Sequence, residues 1–269
     1  ETVQPPFLYW SSKWQVMTAP SPAISTRDLT KRYGSTTAVD GLTFEVPSGV
    51  VYGFLGPNGA GKTTTMRMLT GLIEPTDGDG FVAGTHCTER RHLVDHIGLL
   101  PEEPPLYGEL TAREQLQFAA DLRDLSWESV EERALGLAES LGLVPDLDRR
   151  IDGFSKGMKQ KTAFIQTVQH DPEVVFLDEP TSGLDPRAAR TLRELIVDLA
   201  AADTTVFLST HILPVVEEIA DQVGVLYDGR LVSEGSPADL TAGVGGDGEA
   251  DLEDAFLELT DEPAAAWGR

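Results

Sequence analysis

Gly56-Pro57-Asn58-Gly59-Ala60-Gly61-Lys62-Thr63-Thr64 fits the pattern G-x-x-x-x-G-K-[ST], and its flanks decide the fold. Ahead of it runs an apolar, β-branched stretch, Val50-Val51-Tyr52-Gly53-Phe54-Leu55. Behind it, Thr65-Met66-Arg67-Met68-Leu69-Thr70-Gly71-Leu72 predicts a helix that ends before Glu74-Pro75. Strand, glycine loop and helix in that order form a phosphate-binding loop, so the implied ligand is a nucleoside triphosphate. Gly56, Gly59 and Gly61 lack Cβ, which lets the backbone turn several N–H groups toward one anion. The helix beginning near Lys62 adds the positive end of its dipole. Lys62 is expected to reach the β- and γ-phosphates as a point charge, and Thr63 to offer its hydroxyl to Mg²⁺.

A second acidic site lies downstream. Val174-Val175-Phe176-Leu177 reads as a short buried strand that ends in Asp178-Glu179-Pro180. Ligands of α/β sheets bind at the carboxyl ends of parallel strands. Asp178 is therefore expected at the metal of the bound nucleotide, and Glu179 at an attacking water.

The segments between and after these two elements narrow the class. Phe154-Ser155-Lys156-Gly157-Met158-Lys159-Gln160 resembles the signature of ATP-binding cassette (ABC) proteins, whose usual form is L-S-G-G-Q. Around it stand Tyr33-Gly34, then Leu100-Pro101-Glu102 where the Q-loop belongs, Ser182-Gly183-Leu184-Asp185 as the D-loop and Ser209-Thr210-His211 as the H-loop. The resemblance spans roughly residues 23–240. It implies an α/β fold: a P-loop NTPase core with an antiparallel β layer and a small all-helical subdomain.

Roles follow from the resemblance position by position. Tyr33 resembles the aromatic residue that stacks on adenine, a π-face being indifferent to base identity. Ser155 and the Gly157 N–H match contacts to a γ-phosphate held by the opposite subunit, beside a helix expected to start near Met158. His211 resembles the switch histidine that touches the γ-phosphate and orients water. Asp185 is expected to bridge subunits and to cap the helix that Pro186 opens. Glu102 stands where most members carry glutamine, so a carboxylate faces the metal and the γ-phosphate, as in the drug-resistance type. Lys156 and Met158 replace a glycine and a glutamine of the common signature, while Ser155 and Gly157 are retained.

The implied protein is an ATP-hydrolysing subunit of an ABC-2 type exporter, using ATP and Mg²⁺ in a head-to-tail homodimer. It would sit on the cytoplasmic face of the membrane through a separate permease subunit. No stretch approaches the roughly 20 apolar residues that span a bilayer, so membrane work requires that partner. The rival is a soluble ABC ATPase acting on ribosomes or DNA. Such forms usually carry two cassettes or a long coiled coil, and the interval from Lys62 to Ser155 leaves no room for one.

Forty-four acids against 21 bases give a formal charge of −23. That surface repels nucleic acid, and it suits a protein adapted to high salt, where screening relieves self-repulsion. Cys87 is the lone cysteine, which permits no internal disulfide and fits a reducing compartment. With His86, His92 and His96 it makes a cluster. His92 and His96 are spaced to share a helix face as metal ligands do, although the family places no metal there.

Residues 1–22 read as a flexible extension, with Met17 a candidate start, and residues 23–240 as the ATPase domain. Within it, residues 106–150 form a helical insertion: Thr111-Ala112-Arg113-Glu114 is a capping box, and Ser126 precedes a helix with Val130, Ala134, Leu137 and Leu141 on one stripe. Its Glu102 to Tyr107 flank is the candidate permease contact. A helix over Val215–Ala220 leads to a hairpin turning at Asp228-Gly229. Residues 241–269 read as a Gly/Asp/Glu linker, a short amphipathic helix from Leu252 to Thr260 and a tail.

Overall fold

The computed structural model describes residues 21–242 and 251–261. The extension up to residue 20 and the linker at 243–250 lie outside that range.

The first half contains strands β1 (Ile24–Tyr33), β2 (Thr36–Leu42), β3 (Glu45–Val46) and β4 (Val51–Leu55), helix α1 (Lys62–Leu69), then β5 (Asp77–Val82), β6 (Thr85–His86), helix α2 (Arg90–Leu93) and β7 (Ile97–Leu100). Helices α3 (Ala112–Asp121), α4 (Trp127–Ser140) and α5 (Lys156–Val168) follow. The remainder alternates β8 (Val174–Asp178), α6 (Pro186–Ala201), β9 (Thr205–Thr210), α7 (Leu213–Ile219), β10 (Gln222–Tyr227), β11 (Arg230–Gly235), α8 (Pro237–Ala242) and α9 (Leu252–Asp261).

These strands form two sheets. An antiparallel one runs β2-β1-β5-β6 with β3 also on β1, and a six-stranded one runs β11-β10-β4-β9-β8-β7. From β10 to β7 every pairing in the second sheet is parallel, and only β11 is antiparallel. Parallel strands need both faces covered, and β4, β8 and β9 are buried along their whole length. One face meets the antiparallel layer through stacked and tilted rings of Phe44, Tyr52, Phe54, Phe176 and Phe207. The other packs under α3, α5 and α6 through Leu116, Phe164, Leu192 and Ile196.

The capping box forms as expected. Thr111 Oγ1 accepts from the Glu114 N–H, and the Glu114 carboxylate accepts from the Thr111 N–H at 2.8 Å. The Thr111 N–H and the Thr111 hydroxyl, both donating to it, hold Glu114 below the usual carboxylate range. The hairpin also forms, with Asp228 and Gly229 both at positive φ (47° and 77°) as a type I′ turn requires. Helix α9 lays Leu252 into a small core with Val216 and Leu240, and Phe256 and Leu259 pack against it.

Several boundaries differ from the sequence expectation. Helix α1 ends at Leu69, because Thr70 Oγ1 turns back to the Met66 carbonyl and Gly71 takes φ +67°. Helix α7 begins two residues early, since Pro214 fits its first turn. Helix α5 likewise starts at Lys156 and not near Met158, with Ser155 as its N-cap. The paired-histidine expectation fails: α2 stops at Leu93, so His92 and His96 share no helix face. Their rings go to different acids, Glu89 and Glu173, while His86 meets Asp79 and Thr88. Cys87 is buried under Gly80, which raises its pKa.

Candidate nucleotide site

The register of the parallel sheet brings distant parts of the chain to one edge. Leu55 lies opposite Thr210, Asp178 opposite Ser209, and Leu100 opposite Leu177. The residues that follow those positions therefore leave the sheet together, and they are Gly56, Glu179, His211 and the Pro101-Glu102 turn.

Two close approaches shape the loop from Gly56 to Thr64. A Cβ on Gly56 would sit 2.4 Å from the Leu226 carbonyl oxygen. Gly61, at φ +108°, would place one 2.5 Å from that of Ala38. Neither position accepts a side chain, so the loop folds tightly enough to leave its N–H groups inward. Pro57, Asn58, Gly59 and Ala60 complete the turn, held by the Ala60 N–H on the Pro57 carbonyl at 3.1 Å and the Gly229 N–H on Ala60 at 3.0 Å. Thr64 lies in the first turn of α1.

Lys62 is 7% exposed, and its ammonium donates to the carbonyls of Gly56 (2.7 Å) and Pro57 (3.2 Å). It thus spans the mouth of its own loop. Burial lowers its pKa, and the carboxylates of Glu179, Asp178 and Glu102 oppose that shift. A phosphate arriving there brings the charge that a buried ammonium lacks.

Thr63 Oγ1 donates to Asp178 Oδ2 at 2.9 Å. Both line a cleft of about 300 Å³ with Glu102, Glu103, Pro101 and Leu72. Three carboxylates, those of Asp178, Glu102 and Glu103, and a hydroxyl are the hard oxygen donors that suit Mg²⁺.

Glu179 has φ +49°, a left-handed conformation that costs a residue with a Cβ about 1 kcal/mol or more. Its carboxylate holds it there. Oε2 accepts from Thr210 Oγ1 at 3.0 Å, and Oε1 accepts from the His211 N–H at 3.0 Å and from His211 Nδ1 at 2.7 Å. A carboxylate can only accept, so the imidazole proton sits on Nδ1 and leaves Nε2 facing out. Glu179 is nearly buried while the His211 ring is 59% exposed, which places a carboxylate at the wall and an imidazole at the opening.

The remaining candidates stand apart from this edge. Tyr33 is half exposed at the end of β1, with the Lys31 ammonium 5.4 Å from its ring. Ser155 is exposed, and its hydroxyl accepts from the Met158 N–H at 3.2 Å as a helix cap. Gly157 is partly exposed in the first turn of α5. Asp185 caps α6 through the N–H groups of Ala188 and Arg187, both at 3.0 Å, and those donors lower its pKa. Sequence reasoning missed Thr210 as a partner of Glu179, although its place beside His211 at a strand end was a usable signal. It also missed Gln160, whose buried amide donates to the Pro180 carbonyl at 3.1 Å.

A glycine loop between a parallel strand and a helix, with an acid pair two strands away, defines a P-loop nucleoside triphosphatase. Residues 39–182 match the family described as ABC transporter. The chain is 42% identical over 216 residues to the bacitracin transport ATP-binding protein BcrA of Bacillus licheniformis, covering 80% of this chain and 70% of that one. It is 38% identical over 229 residues to the daunorubicin/doxorubicin resistance ATP-binding protein DrrA of Streptomyces peucetius, covering 85% and 69%. A solved ATP-binding subunit of an ABC transporter superposes with a TM-score of 0.82 at 33% identity, covering 88% of this chain and 99% of that one. The chain belongs to the ABC transporter family as an ATP-binding subunit, an ATPase whose hydrolysis powers transport. Among the described residues no helix is long and apolar enough to cross a membrane.

Proposed function

We propose that this chain is the ATPase subunit of an ABC-2 type exporter and works as a homodimer whose two ATP sites are each composed from both chains. The observation that carries the reading is a division of labour. Lys62, Thr63, Asp178, Glu179 and His211 converge at one sheet edge, whereas Ser155 is exposed and Gly157 partly exposed at the start of α5. A second copy placed head to tail supplies what each edge lacks.

In this reading Tyr33 stacks on adenine and residues Gly56 to Thr64 cradle the phosphates through backbone N–H groups. Lys62 leaves its own carbonyls for the β- and γ-phosphates. Thr63, Asp178 and Glu102 would hold Mg²⁺, which when bound neutralises phosphate charge. Glu179 takes a proton from the attacking water, and His211, oriented by Glu179, holds the γ-phosphate through Nε2. Ser155 and the Gly157 N–H contribute donors from the opposite chain, and Asp185 bridges the two. Catalysis is then positioning and electrostatics. Closure of the dimer pulls on a transmembrane permease that docks near Glu102 to Tyr107, which holds the chain at the cytoplasmic membrane face. The domain divisions at residues 23–240 and 106–150 follow the same reading. Resistance and bacitracin transport in the relatives' names support export, and the Glu102 substitution agrees with them. The charge of −23 supports adaptation to high salt.

Complementation tests the composite site. Lys62→Met removes the phosphate lysine, and Gly157→Asp sets a carboxylate against the expected γ-phosphate. Each alone should be inactive. In an equal mixture, half the dimers are mixed and each carries one intact site, so about a quarter of the wild-type ATPase should return. A mixture as inactive as its components would show that the site does not straddle two chains.

A further inference from the structure

Lys156 is the signature residue that departs most in chemistry from a glycine, and nothing in the reading above employs it. Its side chain is exposed but lies along the surface of the protein. It crosses to the loop that follows Glu179, where Nζ donates to Ser182 Oγ at 2.9 Å. Its methylene stem lies over Gly183, at φ +77°. A Cβ there would meet Lys156 Cδ at 2.7 Å and Cγ at 2.8 Å, so the stem occupies the space that only glycine leaves open. Next along α5, Gly157 backs onto the same loop, and a Cβ on it would be 3.0 Å from the Gly183 carbonyl oxygen. One turn further, the buried Gln160 amide donates to the Pro180 carbonyl at 3.1 Å. The first five residues of α5 are thereby joined at Lys156, Gly157 and Gln160 to residues 180–183, which follow the strained backbone of Glu179.

We infer that Lys156 is a positioning residue: with Ser182 and Gly183 it clamps the signature turn to the loop behind Glu179, so that the two move as one body. This rests on the composite-site reading. In that arrangement Ser155 and Gly157 meet the nucleotide of the other chain, while Glu179 acts on the nucleotide of its own. The clamp therefore links occupancy of one site to the placement of the base in the other. Gln160 performs its part from inside the core, where any change also disturbs packing. Lys156 and Ser182 do so at the surface and can be altered without opening a cavity.

The test is steady-state ATPase of the full chain with Mg²⁺ and ATP, alongside nucleotide binding and melting temperature. Lys156→Met keeps the stem and removes the donor; Ser182→Ala removes the acceptor. Each should lower kcat about threefold to tenfold, the range a surface hydrogen bond to a charged group spans, with KM and melting temperature unchanged. The double variant should be no worse than either single one, and Lys156→Arg should restore most of kcat. Wild-type kcat in Lys156→Met overturns the clamp, as do multiplicative losses in the double variant. A fall in Lys156→Met with none in Ser182→Ala also overturns it, assigning the lysine to phosphate instead. Ser155→Ala in the same assay separates the two ideas. Undiminished turnover there removes the composite site and the clamp's function with it, whereas loss there with wild-type kcat in Lys156→Met and Ser182→Ala removes the clamp alone.

Discussion

The sheet edge around Glu179 and the start of α5 around Ser155 differ in how far each satisfies itself. At the sheet edge Lys62, Asp178 and Glu179 are buried, and the groups are already paired within the chain: Lys62 to its loop carbonyls, Thr63 to Asp178, Glu179 to Thr210 and His211. At α5, Ser155 is exposed, and its hydroxyl makes one capping bond, to Met158. The first region carries the phosphate loop and the acid pair together. In the second, the Ser155 hydroxyl donates to no acceptor among the described residues. A largely buried, self-paired cluster with an exposed patch elsewhere is what the proposed composite site requires.

The largest effect on this contrast should come from Glu179→Gln. Loss of the general base should cut turnover by about 10²–10⁴-fold while ATP binding persists, and the ATP-bound dimer should accumulate in size-exclusion runs. Turnover near wild type would remove Glu179 as the base and break the contrast at its stronger end.

A smaller effect comes from the far end of the signature helix. His170 follows α5, and its Nε2 lies 3.1 Å from the Ile97 carbonyl oxygen, fastening the helix to β7. Burial, with Arg123 and Arg133 nearby, lowers its pKa to about 4, against the partial opposition of Ile97 and Asp171. The unfolded chain then binds more protons than the folded one between the ordinary histidine value and about 4. Stability is complete above that window and falls as the pH drops through it, by on the order of 3 kcal/mol. Urea melts across that range should show the loss, and His170→Gln should flatten it. An equal slope in the variant would assign the loss to other groups.

The smallest effect concerns the step that joins the two regions. Chains of charge −23 repel each other, and molar KCl screens that repulsion. Melting temperature should rise by a few degrees from dilute buffer to molar KCl, about what 1 kcal/mol gives a chain of this size. No rise would end the high-salt reading.

Much of this was legible beforehand because it is local. The glycine loop, the acid pair, the capping box at Thr111 and the Asp228-Gly229 turn each depend on residues within a few positions of one another. The mistaken expectation for His92 and His96 was also local. Their spacing suited a helix that the chain ends at Leu93, one residue past His92. Where α1 and α7 begin and end was hidden because a threonine side chain bonding back to a carbonyl, or a proline in a first turn, competes with periodicity.

By itself the sequence determined that a nucleoside triphosphate is bound through a P-loop and that the ABC elements follow in order, because those signals are written in adjacent residues. Only tertiary structure decided that Thr210 and His211 hold the strained Glu179, and that Lys156 reaches Ser182. Both depend on the register of β8 against β9 and on where α5 docks against the loop behind Glu179. Those relations join residues about 30 positions apart, a separation that neither hydrophobic periodicity nor motif spacing encodes.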